Sequence, residues 1–362
     1  MKAPVNMQKI AKQAGVSLGT VSHVINDTVP VREHLRKRVL EAVRALGYQP
    51  SQLARGLRRN ATDMIGMVVS DITNPFFPAV VRGAEDIAYG ESFRLVLCNS
   101  DNDPMKELSY LNQLRSFRPA GMIIIPSLGS TILSQLTPHD GPIIFADRCP
   151  DGWEGDLVIV ANEPGAYAAT QFLIDHGHRQ LSAIVGPSDF SNSRERLSGF
   201  RKAIANAGLH VSPEYIQQGY FDQRSGRDCM RRLLSLTPRP TAVFTANDLM
   251  GAGALTAMYE AGVRCPEEMS LFSFDNLDFA DVTGPPLSTV HQPGYQMGSN
   301  AARLLLERIR SEEELPPRRI VLDTELRIRQ SVGYLSEKPR LSTNGRRSAA
   351  ERLPASKRRR SD

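Results

Sequence analysis

The stretch GVSLGTVSHVIN, residues 15–26, begins with a glycine. Val21, Val24 and Ile25 then recur at helical spacing, while Ser17, Thr20, Ser22 and His23 are left to face outward. It lies between two other helix-forming segments. Before it, MQKIAKQA (7–14) has Asn6 as an N-cap and Gly15 as a terminator. After it, VREHLRKRVLEAVRALG (31–47) places Leu35, Val39, Val43 and Leu46 on one face, charges on the other and Gly47 at the end. Three short helices with one shared core make a domain of about 50 residues, near the lower limit for independent folding.

Charge is unevenly placed. Residues 1–60 hold 11 Lys/Arg against 3 Asp/Glu, residues 61–335 hold 24 against 33, and residues 336–362 hold 9 against 3. A basic head on an acidic body suits a polyanionic partner. A helix, a glycine turn and a second helix form a helix-turn-helix, whose second helix enters the DNA major groove with its first residues at the base edges. On this reading Ser17 and Thr20 hold phosphates, and His23 reaches a base or a phosphate. Ser22 and Asn26 complete the outward set, while Val21 and Val24 pack against Ala11 and Ala14. The competing reading is a helical hairpin with no ligand.

The run IAKQAGVSLGTVSHVIN…VREHLRKRVLEAVRALGYQPSQLARGLR closely resembles the DNA-binding headpiece of the LacI/GalR family of bacterial transcription regulators. The motifs "AGVS..TVS.V.N", "R..V..A...LGY.P" and "AR.L" occur in order and at the family's spacing, and the resemblance continues to about residue 335. It implies that Leu18, Gly19 and His23 read sequence. Leu18 and Gly19 offer no side-chain hydrogen bonds, so readout leans on His23 and on the hinge. It also implies that Leu57, preceded by Ala54 and Arg55, is one of a pair of leucines wedged into the minor groove. Such a wedge costs a few kcal/mol in unstacking, offset by contacts to the bent DNA. Paired wedges imply a homodimer on pseudo-palindromic double-stranded operator DNA.

From Met64 the pattern changes to short apolar runs, MIGMVV, RLVLC, GMIIIP, PIIFAD, LSAIVG, TAVFTA and MSLFSF, alternating with amphipathic stretches. That is the mark of α/β doubly wound parallel sheets, and the number of strands favours two lobes. The family resemblance implies a periplasmic-binding-protein-like body with a ligand cleft between the lobes. The expected organisation is a small all-α helix-turn-helix headpiece (1–49), a hinge helix (50–61), a two-lobed effector-binding and dimerisation domain (62–335) and a basic disordered tail (336–362).

In open α/β sheets a ligand sits beyond the C-terminal ends of the strands. The candidates there are Asp71, Asn74 and Phe76 in VVSDITNPFF, Asn102 in CNSDND, and Asp147 and Arg148 in IIFADR; the family resemblance, in NPFF and in the arginine ahead of GF in RERLSGF, implies Arg196 as well. Asn247 follows in FTANDLMGAGAL and Asp275 in FSFDN, with Phe190 and Phe221 as apolar walls. Carboxylates, amides and arginines that bond neighbouring hydroxyls, with an aromatic face for the apolar side of a ring, suit a sugar or a similar small polar ring. Similarity to purine-responsive members, in TVSHVIN and HQP, does not choose between purine and sugar. Taken singly, Asp71, Asn102, Asp147 and Asp275 read equally well as turn formers or helix caps. Asp248 reads as a cap or an interface residue, and Phe77 as core.

Other classes find little support. There is no GxSxG elbow, HExxH pair or P-loop, and GAGALT (251–256) lacks the last glycine of GxGxxG, so catalysis and cofactors are not expected. Four scattered cysteines and a lone HGH at 176–178 favour reduced thiols and a helix end over a metal site. No apolar run nears the ~20 residues of a membrane span and no signal segment is seen, so the expectation is a cytoplasmic protein without membrane contact. The tail, with KRRR at 357–360, reads as solvated disorder or as an accessory phosphate clamp. The runner-up is a sugar- or purine-binding protein without a repressor role, followed by a sugar-processing enzyme.

Overall fold

The computed structural model describes residues 6–26, 29–47, 62–275 and 280–335. The hinge positions Ala54, Arg55 and Leu57 and the segment 336–362 lie outside the described residues.

The headpiece forms as its caps dictate. Helix α1 (Met7–Ala14) starts where Asn6 Oδ1 accepts the Lys9 N–H at 3.0 Å and stops at Gly15, whose φ of +60° suits glycine. Helix α2 (Leu18–Asn26) starts at Ser17, whose Oγ accepts the Thr20 N–H at 3.1 Å. With α3 (Glu33–Leu46) these helices enclose Ile10, Ala14, Val21, Val24, Val39 and Ala42. Leu35, expected on the inner face of α3, is only half-buried. Ala42 joins Val39 instead, one helical turn away and small enough for the helices to approach.

Lobe one is a parallel sheet of β1 (Met64–Val69), β2 (Arg94–Asn99), β3 (Gly121–Ile124), β4 (Ile143–Ala146), β5 (Leu157–Val160) and β11 (Arg319–Leu322), in the order β2-β1-β3-β4-β5-β11. Helices α4 (Phe76–Gly90) and α11 (Gly294–Arg310) pack on one face, and α5 (Pro104–Phe117) and α6 (Ile132–Gln135) on the other. Both faces being covered explains strands that read as continuous apolar runs. The backbones of α4 and α11 nearly touch. A Cβ on Gly298 would lie 1.8 Å from the Val80 carbonyl oxygen, and one on Gly83 2.0 Å from that of Tyr295.

Lobe two repeats the plan with β6 (Leu181–Val185), β7 (Ile216–Gln218), β8 (Ala242–Thr245), β9 (Ser270–Phe274), β10 (Ser288–His291) and β12 (Glu325–Arg327), in the order β7-β6-β8-β9-β10-β12. Only β12 runs antiparallel. Its helices are α7 (Asn162–Asp175), α8 (Ser191–Asn206), α9 (Gln223–Leu234) and α10 (Asp248–Glu260). The GAGALT glycines serve helix packing, since a Cβ on Gly253 would lie 2.0 Å from the Gln223 carbonyl oxygen. The chain passes between the lobes from β5 to α7, from β10 to α11, and from β11 to β12.

Strands β5, β7, β10, β11 and β12 escape the sequence pattern. They are three or four residues long, and all but β5 carry polar or charged residues. The HGH segment does end α7, where His176 Nδ1 lies 2.8 Å from the Phe172 carbonyl oxygen. His178 departs from that reading. It is buried between Thr241 Oγ1 (3.0 Å) and the Gly333 carbonyl (3.1 Å), and burial lowers its pKa.

Candidate functional site

On the headpiece, Ser17, Leu18, Gly19 and His23 are exposed, and Thr20 and Ser22 are half-buried. Ser17 Oγ is 2.9 Å from Thr20 Oγ1 as well as capping α2, so these hydroxyls are held together at the helix start. Leu18 is 47% exposed, a large apolar side chain at the first position of α2 with no place in the core. The Asn26 backbone ends α2, and its side chain lies outside the described residues.

Between the lobes the C-terminal ends of the strands converge. Asp147 follows β4, and Asn192 Nδ2, from the first turn of α8, donates to its Oδ2 at 3.2 Å, joining the two lobes. Arg148 Nη1 donates to the Pro126 carbonyl (2.9 Å) and to Asn102 Oδ1 (3.2 Å). Its guanidinium lies 3.8 Å from the Phe190 ring centroid, and its Nε is 3.3 Å from Asp147 Oδ2. In lobe two, Arg196 Nε donates to Asn162 Oδ1 (2.9 Å) and Nη1 to the Ala246 carbonyl (2.6 Å). Its guanidinium sits 3.8 Å over Phe274, with Nη1 3.7 Å from Asp275 Oδ1. Asp275 in turn accepts a hydrogen bond from Gln292 Nε2. Phe190 and Phe221 stack with centroids 6.0 Å apart.

The electrostatics follow from burial. Burial lowers the Arg148 pKa against the pull of Asp147, and Arg196 lowers it further. Burial pushes the Asp275 carboxyl up to about 6 against the attraction of Arg196, with Asp147 adding to the rise. Asp248, at the start of α10, is raised well above the ordinary value by burial and by Asp275.

Two further features mark the region. Of the seven described non-glycine residues with positive φ, Asp101, Asn102, Asp147, Phe221 and Asp275 follow the C-terminal ends of strands, while Ser92 and Arg118 lie elsewhere. Left-handed backbone is costly for such residues and concentrates at ligand clamps. The second feature is a set of buried polar atoms without hydrogen-bond partners among the described residues: Ser70 Oγ, Arg148 Nε (which is ion-paired with Asp147), Asn192 Oδ1, Ser193 Oγ, Asp248 Oδ1, His291 Nδ1 and Gln292 Oε1. Arg308 Nη1 is the exception, lying elsewhere. A cavity of about 430 Å³ borders Ser127, Ser130, Arg148, Phe190 and Ser191. Another of about 470 Å³ borders Phe76, Asp248, Asp275, Gln292 and Tyr295.

The structure thus brings Asn102, Asp147, Arg148, Phe190, Arg196, Phe221 and Asp275 together. Asp71, Asn74 and Asn247 each make local turn or cap contacts at the rim of this centre. Asp71 Oδ1 accepts the N–H (2.9 Å) and O–H (2.6 Å) of Thr73, and Asn74 Oδ1 accepts the Phe76 N–H (3.0 Å), forming the turn into α4. Asn247 caps α10 through the Met250 N–H (2.9 Å) and donates to the Phe221 carbonyl (3.1 Å). Short polar side chains at strand ends serve such turns readily. Phe76 is half-buried against Gly294, at the rim of the second cavity. Sequence reasoning missed Asn192, Ser193, Phe274 and Gln292. The first two open a helix after a strand, a position the strand-end rule could have reached; Phe274 looked like core, and Gln292 stood in HQP beyond an unrecognised strand.

A helix-turn-helix with an exposed polar recognition face, ahead of two doubly wound lobes enclosing a polar centre, defines a ligand-responsive, DNA-binding transcription regulator. Residues 6–51 match the family of bacterial regulatory proteins, lacI family, and residues 170–332 match the periplasmic binding protein-like domain. The HTH-type transcriptional repressor PurR of Photobacterium profundum is 38% identical over 333 residues, covering 91% of this chain and 99% of that protein. The solved transcriptional regulator CelR–cellobiose complex is 32% identical with a TM-score of 0.70, covering 90% of this chain and 99% of that one. The lac repressor dimer bound to operator and the anti-inducer ONPF shares the fold, with a TM-score of 0.80 at 24% identity over 91% of this chain and 100% of that one. The chain belongs to the LacI family of bacterial regulatory proteins. It is a DNA-binding transcriptional repressor rather than an enzyme. Among the described residues no helix is long and apolar enough to cross a membrane.

Proposed function

We propose that this repressor acts as a homodimer on a pseudo-palindromic operator and changes its grip when a small uncharged polar ring, a sugar, enters between the lobes. The carrying observation is the group of buried, unpartnered polar atoms from both lobes around Arg148, Arg196, Asp147 and Asp275. Donors and acceptors are mixed in that set, as the hydroxyl groups of a sugar require. The stacked Phe190–Phe221 pair supplies apolar walls. On the DNA side, Ser17, Thr20 and Ser22 contact phosphates, Leu18, Gly19 and His23 face bases, and Leu57 enters the minor groove. Coupling between two such sites is typically about 1–3 kcal/mol.

A purine base is the second reading. It is favoured by the two aromatic rings and by relatives that carry the name of the repressor PurR. A thermal-shift screen of the full chain against monosaccharides, cellobiose, hypoxanthine and guanine separates the two. A ligand at 100-fold its Kd adds about 2.7 kcal/mol. A sugar hit supports the first reading and a purine hit the second. No hit in either class overturns both.

A further inference from the structure

Helix α5 carries a carboxylate that solvent does not reach, since Glu107 is fully buried. It stands in line with Leu111 and Leu114, both apolar and buried, so packing alone asks for a leucine at this position. A buried carboxylate is costly without partners, and its partners therefore show what it is for. Glu107 Oε1 accepts the Ser127 N–H at 2.7 Å, and Oε2 accepts the Ser130 hydroxyl. The Ser127 hydroxyl shares a further hydrogen bond with Ser100 Oγ at 2.7 Å. Both groups held by the carboxylate lie in the segment that follows β3.

That segment is one wall of the interlobe cavity, where Ser127 and Ser130 line the space beside Arg148 and Phe190. It also supplies the Pro126 carbonyl that receives Arg148 Nη1. Burial pushes the Glu107 carboxyl up, against the hydrogen bonds of Ser130 and Ser127 and the charge of Arg148. Glu107 therefore sits behind the wall, touching neither the cavity nor solvent, and fixes both the wall and the carbonyl on which Arg148 is seated.

We propose that Glu107 is a positioning residue for ligand binding: by holding the 126–131 segment it sets the seat of Arg148 and the shape of the cavity, and so the affinity and selectivity of the interlobe site. This rests on the reading of that site as the effector site. It predicts that ligand affinity and stability respond differently to substitution. Glu107→Leu fills the helix stripe with apolar volume and frees the segment. Glu107→Gln keeps one acceptor and loses the other.

The test uses the full chain and titration calorimetry with D-glucose, D-ribose, cellobiose and hypoxanthine, beside melting curves. Asp275→Asn serves as the control for the site itself. Glu107→Gln is expected to weaken binding about tenfold and Glu107→Leu more, with the melting point of Glu107→Leu at or above that of the unmodified chain. Ser130→Ala should weaken binding by itself and add little to Glu107→Gln, because both act through one hydrogen bond. Unchanged affinity in Glu107→Gln and Glu107→Leu overturns the proposal. Loss of affinity only in step with loss of stability does so too. If no probe binds the unmodified chain, the sugar and purine readings fail, and hydrogen exchange decides for Glu107. Faster exchange confined to 126–131 in Glu107→Gln supports the positioning role, and unchanged exchange there refutes it.

Discussion

Replacing Asp275 by asparagine should stabilise the protein at neutral pH while ending ligand binding. The carboxyl is held at about 6 instead of 3.8, mainly by burial, although Arg196 and Gln292 both favour its charged form. A carboxyl displaced that far costs about 3 kcal/mol of stability at pH 7. The folded state holds the proton more tightly than the unfolded chain does. The associated stability is therefore complete below pH 3.8 and lost as the pH rises through 6. Asparagine resembles the protonated acid in shape and keeps an acceptor for Gln292. The two proteins should match near pH 4 and differ by about 3 kcal/mol at pH 7.5, with the variant the more stable. For a body of this size that is roughly 6–12 °C in melting point. Urea titrations at intervals from pH 4 to 7.5 measure the difference directly. A variant less stable at pH 7.5, or a gap of the same size at pH 4 and pH 7.5, would refute the reasoning, because either result means that Arg196 fully compensates the buried charge.

Three more outcomes are expected. Gly298→Ala should cost about 3 kcal/mol, since its Cβ meets the Val80 carbonyl at 1.8 Å where α4 and α11 cross. A urea midpoint unchanged within error would show that the helices simply part. His178 is kept neutral by burial, so its contribution is present above the unfolded pKa of 6.5 and lost as the pH falls below that value. His178→Gln should flatten the acid side of the stability profile, and parallel profiles would count against this. Leu57→Ala should weaken binding to a selected operator by tenfold or more, in order-of-magnitude terms, while leaving nonspecific duplex affinity nearly unchanged. Equal losses on both duplexes in a mobility-shift titration would sink the wedge.

The headpiece was legible because four of its six helix ends are each written in one residue: Asn6, Gly15, Ser17 and Gly47 act where their side chains, or the lack of one, require, whereas the start of α3 at Arg32 carries no side-chain cap. The lobes were legible through strands buried on both faces. Short and polar edge strands such as β7 and β12 carry no such signal, because they pair on one side only and face water. At the interlobe centre, the strand-end rule reached Asp147, Arg148 and Asp275, and the family motif reached Arg196, four residues that the structure gathers together. What sequence could not decide was the use of each residue. Asp71 and Asp275 are the same residue type in the same kind of place, yet one closes a turn on Thr73 and the other faces Arg196. What distinguishes them is a partner from distant sequence, Arg196 on α8 of the same lobe as Asp275. Glu107 was invisible for the opposite reason, since a glutamate on a helix usually points into water.

The crossings between the lobes also impose an order of assembly. The headpiece is complete within the first 47 residues, but lobe one lacks α11 and the edge strand β11 until residue 322 has been made. During synthesis the DNA-reading unit therefore exists long before the sensor that governs it. A chain interrupted in between would keep α1 to α3 intact while α4 presents a bare apolar flank where α11 belongs. Premature termination in this gene should thus yield fragments that aggregate or are degraded, rather than unregulated repressors.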